Sequence, residues 1–133
     1  MGAGGKTWRP GAGAGFEESR RFSAEARSVR AARRFAAGRV SSPERRNVVA
    51  LIVSELATNA VIHAGTGFEV RISEDTDGCV RGSVTDTGGG FPNVERQLPP
   101  LGERGRGLRI VERLATAWGT ERLTDGKRVW FEL

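Results

Sequence analysis

The amino-acid sequence predicts an α+β protein, a two-layer sandwich in which one sheet carries its helices on one face. Three observations predict it. Two runs at helical spacing open the chain, between about residues 23 and 64. Two pairs of alternating segments, at 68–86 and in the last fourteen residues, read as hairpins. Between those pairs lies a Gly- and Pro-rich stretch too long for a tight turn, followed by one more helical run.

Each element has its own local reason. Residues 1–15 are rich in Gly and Ala without periodicity and read as a flexible tail, with residues 16–133 as the domain. Phe16–Phe22, "FEESRRF", reads as a short edge strand. The first helix carries Val29, Ala32, Ala36 and Val40 at helical spacing, with Ser23 as the expected N-cap and Gly38 as the stop. The second helix is expected from about Pro43 to Ala64. Ser42 is placed to cap it, Pro43 sits where a missing N–H does no harm, and Gly65 suits a left-handed C-terminal cap. "FEVRISE" (68–74) alternates as a half-buried strand, "DTDG" signals a turn, and 79–86 is the return strand. After residues 87–106 helical spacing resumes with Leu108, Val111, Leu114 and Ala115, and a second hairpin turns near Asp125 and Gly126.

Composition narrows the classes. A chain of 133 residues suits one domain. No uninterrupted apolar run approaches the ~20 residues of a membrane span, and the N-terminal stretch lacks the apolar centre of a secretory signal. The one cysteine, Cys79, excludes an internal disulfide and a Cys-based metal site. These features favour the cytosol and no membrane partner. The net charge of +5 raises the question of nucleic acid or an acidic protein partner, most of all at the Arg-rich region 20–46. Acidic residues are interspersed throughout, which argues against direct nucleic-acid binding.

Three segments carry chemistry. In "VSELATNAVIHAG" (53–65), Glu55, Asn59 and His63 recur every fourth residue and form a polar ridge beside the apolar face of Ile52, Leu56 and Ala60. The plain alternative is a solvated helix edge, but a mid-helix Asn is unfavourable without a purpose. In "TDTGGGFP" (85–92) a strand ends on Asp86 and runs into glycines that permit close approach to a ligand; alone, this is also an ordinary Gly-rich turn. In "GERGRGLRI" (102–110) two glycines precede a helix, whose free N–H groups suit an anion; alone, "RGRG" also fits an RNA-binding fragment, and the P-loop signature is absent.

Taken together, in this order and spacing, "ELATNAVIHA", "DTGGGFP", "GRGLRIV" and the closing "GKRVWFEL" resemble the GHKL ATPase superfamily over about residues 16–133. The resemblance implies the Bergerat ATP-binding fold, with a mixed, mostly antiparallel sheet, and ATP and Mg²⁺ as cofactors. The small size resembles the stand-alone anti-sigma-factor serine kinases, typically homodimers, which bind a sigma factor and phosphorylate an anti-sigma-factor antagonist. By that resemblance Asn59 would hold Mg²⁺ and Glu55 would be the general base. Asp86 would accept from the adenine amino group, with Gly88 and Gly90 letting the chain turn under the base. Gly105, Gly107 and Leu108 would cradle the phosphates through backbone N–H groups, with Arg104 or Arg106 neutralising charge. The 92–104 segment would be the ATP lid. The family often has a Thr in the final hairpin that supports the adenine site; here that position reads as Arg128. A nucleotide-gated binding module without phosphotransfer is the alternative, and a nucleic-acid binder using the first helix is a third.

Overall fold

The computed structural model of the chain describes residues 15–86 and 101–133. Its elements are β1 (Phe16–Phe22), α1 (Ala26–Ala37), α2 (Pro43–Asn59) continued by a π-helical turn (Ala60–Ala64), β2 (Phe68–Glu74), β3 (Val80–Asp86), α3 (Leu101–Leu114), β4 (Ala117–Leu123) and β5 (Gly126–Glu132). Among the described residues the strands form one five-stranded sheet, ordered β1-β2-β3-β5-β4. Each neighbouring pair is antiparallel, so the mostly antiparallel expectation holds for every described strand. The order follows from the connections: after β3 the chain passes through α3, reaches the far edge as β4, and returns as β5 beside β3.

One face of the sheet presents Phe68, Val70, Ile72, Val84, Val129 and Phe131 to the helices, where Val49, Ile52, Val53, Leu56 and Val111 bury against them. Each such side chain contributes ~1.5–3 kcal/mol by leaving water. α2 is the central helix and touches both α1 and α3. Its 22-residue span to Ala64 is long and apolar enough, by composition alone, to cross a membrane. In the fold Val49, Ile52, Val53, Leu56, Ala57 and Ala60 of this span are buried in the core, while Leu51 and Ile62 are exposed. The opposite face of the sheet is polar, laced by Arg71 with Glu17 and Glu69, Arg81 with Glu132, and Arg128 with Glu121.

The helix signals are met unevenly. Ser42 caps α2 by accepting from the Arg45 N–H at 3.3 Å, with Pro43 in the first turn. Gly65 closes the π turn at φ 68°, as a left-handed cap requires. Ser23, by contrast, is not the cap of α1. The helix starts three residues later behind Glu25, and the Ser23 hydroxyl instead meets Glu25 (3.0 Å) and Ser28 (3.1 Å). Gly38 does follow α1, but in right-handed conformation. At the other end of the sheet, buried Glu74 accepts from the Ser41 N–H and hydroxyl at 3.2 and 2.9 Å, so the carboxylate is not left unpaired. The β2–β3 turn is held by Asp75, whose Oδ1 accepts from the N–H groups of Asp77 and Cys79 at 2.9 Å, with Gly78 at φ 87°.

Candidate functional site

Glu55 and Asn59 lie one helical turn apart on α2, and both are half-buried. They flank the buried stripe of Ile52, Leu56 and Ala60, as the four-residue spacing requires. Asn59 is the last residue before the helix widens into the π turn. Such π segments inside longer helices concentrate at functional sites. The widening carries half-buried His63 toward the sheet: the π turn packs on β3 and His63 lies close enough to Lys127 to feel its charge. Burial first, and the Lys127 ammonium second, hold the His63 imidazole below its ordinary pKa.

Asp86 ends β3 on the helix-facing side of the sheet, in the row with Phe68 and Lys127. Its Oδ1 accepts from the Lys127 N–H at 3.2 Å. Gly126 makes this approach feasible. A Cβ there would overlap the Asp86 carbonyl oxygen and come within 2.9 Å of Oδ1. The β4–β5 hairpin is thus folded directly onto the carboxylate. Among the described residues nothing donates to Oδ2, which is left as an acceptor for another group. Burial raises the Asp86 carboxyl above the usual range, and the Lys127 charge and N–H partly offset this. The structure therefore brings Asp86, Lys127 and His63 to one end of the helix–sheet interface, with Asn59 and Glu55 one and two turns back along α2.

Two expectations are corrected. Arg128, read as standing at the position of the family's Thr, does not face Asp86; the residue opposite Asp86 is Lys127. Side chains alternate along a strand, so Arg128 points to the polar face, where its Nε donates to Thr85 Oγ1 (3.2 Å) and its Nη1 pairs with Glu121 (2.8 Å). Sequence reasoning missed Lys127, because which residue of β5 faces Asp86 is set by the pairing of two strands. Second, α3 begins at Leu101, so Gly105 and Gly107 lie within it rather than ahead of it. The unsatisfied N–H groups of a helix start are its first four, here those of 101–104. A helix tolerates an interior Gly at about 1 kcal/mol each. For Arg104, Gly105, Arg106 and Gly107 the position in α3 is all that is described, while Leu108 packs its side chain against the core. Gly88, Gly90 and the 92–100 part of the expected lid lie outside the described residues. Among those described, no cluster of three or more His, Cys, Asp or Glu could hold a metal.

The sequence profile of the histidine kinase-like ATPase domain matches residues 22–133. Among solved structures, the RsbU and RsbW domains of Rv1364c from Mycobacterium tuberculosis superpose with a TM-score of 0.62 at 20% identity. That match covers 86% of this chain and 32% of the other, so the chain spans about a third of the protein it resembles. No curated protein matches the sequence.

Proposed function

The chain belongs to the histidine kinase-like ATPase domain family, and on that premise we propose that it binds ATP with Mg²⁺ and acts as an anti-sigma factor that phosphorylates a serine of an anti-sigma-factor antagonist. The observation that carries the nucleotide reading is Asp86: a half-buried carboxylate at a strand tip, with one oxygen held by Lys127 and the other uncommitted among the described residues. An adenine amino group matches that oxygen. The absence of a Cβ at Gly126, where one would collide with Asp86, supports a site built around the carboxylate. Asn59 offers a side-chain oxygen, the donor type Mg²⁺ prefers. A metal held mainly by phosphates needs few protein ligands, in keeping with the lack of an acidic cluster among the described residues.

When bound, the nucleotide supplies a transferable γ-phosphoryl group. Glu55 would take the proton of the incoming serine hydroxyl, directly or through a water, while the free amides at the start of α3 and Arg104 or Arg106 would hold the phosphates. The partner reading rests on the resemblance to anti-sigma-factor kinases. It is supported by α1, whose exposed Arg30, Arg33 and Arg34 form no ion pair among the described residues and suit an acidic protein surface. The protein is read as cytosolic on the same basis.

The test is transfer from γ-labelled ATP to candidate antagonist proteins. Glu55→Ala is expected to retain ATP binding and to lower transfer by ~10²–10⁴-fold, the usual worth of a general base. Transfer that survives the substitution removes Glu55 from the mechanism. ATP-dependent partner binding with no transfer by the wild type selects the nucleotide-gated binding module instead.

A further inference from the structure

We propose that Lys127 is a specificity-determining residue of the nucleotide site, its ammonium donating to N1 of an adenine whose 6-amino group Asp86 accepts. The inference rests on the nucleotide reading of the site and adds a second contact to the base.

Lys127 stands directly opposite Asp86 in the β3–β5 ladder, on the same helix-facing side of the sheet. Directly opposed residues have Cβ atoms about 4.5–5.5 Å apart. The main chain of Lys127 already holds Asp86 Oδ1. Its ammonium, by contrast, makes no hydrogen bond or ion pair among the described residues, and the residue is exposed. On the other side of Asp86 in this row, Phe68 is buried, so the row opens from core to solvent across the carboxylate. Arg122, the next cation in the row, lies one strand further from Asp86. After burial, the Lys127 charge is what acts on both the Asp86 carboxyl and the His63 imidazole. The ammonium is therefore within electrostatic reach of the tip of β3 and of the π turn that packs on it.

An uncommitted carboxylate oxygen beside an unpaired ammonium presents an acceptor next to a donor. Adenine carries the complement on one edge: its amino group donates and N1 beside it accepts. Asn59, which takes the metal and phosphate end in the nucleotide reading, lies back along α2. The base then turns its edge remote from the ribose, the one with N1, toward Asp86 and Lys127. Guanine and hypoxanthine carry a carbonyl oxygen and an N–H at the same two positions. In the same pose they set an acceptor against the carboxylate and a donor against the ammonium. Asp86 alone accepts from any amino group; the donor beside it adds a penalty against the wrong base.

Isothermal titration of the full chain with ATP and with 1-deaza-ATP, which has C–H in place of N1 and keeps the amino group, tests the contact. The wild type is expected to bind 1-deaza-ATP about tenfold or more weakly than ATP, because hydrogen bonds from charged donors are among the strong ones. In Lys127→Met that preference is expected to vanish. Loss of a charge near the phosphates weakens both nucleotides alike and cancels from the comparison. 7-deaza-ATP is expected to bind the wild type as ATP does. Circular dichroism checks the fold of the variant, and the wild-type preference is read without it. A wild type that binds ATP and 1-deaza-ATP alike, or a preference that Lys127→Met leaves unchanged, overturns the assignment while ATP binding stands. No ATP binding by a folded wild type fails the nucleotide reading itself, and the assignment with it.

Discussion

At the scale of single residues, Asp86 is the group on which local energetics and ligand binding pull in opposite directions. Burial keeps its carboxyl above the ordinary carboxylate range, with Lys127 offsetting part of the effect. A folded-state value above the unfolded one means that the native protein holds the proton more tightly. Stability therefore falls as pH rises from the usual carboxylate value through the raised one, and the loss persists at neutral pH. The ionised form is also the one that accepts from an adenine amino group. Asp86→Asn is accordingly expected to raise the melting temperature at pH 7 while weakening ATP binding about 10–100-fold, since a hydrogen bond to a charged group is worth roughly 1.5–3 kcal/mol. In the wild type, ATP affinity should decline on acidification at a pH above that of an ordinary carboxylate; calorimetric titrations from pH 4 to 8 check both. Asp86 stood out in the sequence because a carboxylate at a strand end can accept from an amino group and the glycines after it permit close approach to a ligand. Lys127 did not, because its role comes from cross-strand register, and register is a property of two segments.

At the scale of elements, legibility followed how local the determining interaction is. α2 was readable nearly to its ends because its cap, its first-turn Pro and its terminal Gly each act within a few residues. β2 was readable as 68–74 because apolar Phe68, Val70 and Ile72 alternate with polar residues. The start of α1 was not, since Ser23 finds a longer-range use with Ser28. Nor was the start of α3, where interior glycines mimic a boundary that packing overrides. The π turn after Asn59 has no sequence signature of its own; it packs on β3. The β4–β5 hairpin offers the sharpest element-scale prediction. Gly126→Ala puts a methyl group against the Asp86 carbonyl and carboxylate, and the turn must move to admit it. Overpacking of this kind costs about 1–3 kcal/mol, which a thermal melt reads directly. ATP affinity should fall in the same variant, because the Lys127 N–H moves with the turn.

At the scale of the whole molecule, the two-layer design divides labour across its faces. The helix-facing side of the sheet supplies the core and, at one end, the row containing Asp86. The polar side is tied by cross-strand ion pairs that hold the strands in register. The layer order and helix placement were legible from the alternation of periods, whereas the strand order β3-β5-β4 depends on how α3 crosses, which no local pattern encodes. The central claim is that the end of α2 and the tip of β3 form one nucleotide site. Isothermal titration of ATP into the full chain, with and without Mg²⁺, tests it most directly. The account predicts saturable one-to-one binding that Mg²⁺ strengthens, that Asp86→Asn weakens in either condition, and that loses its Mg²⁺ enhancement in Asn59→Ala. Binding indifferent to both substitutions, or no binding at millimolar ATP by a folded wild type, would contradict it.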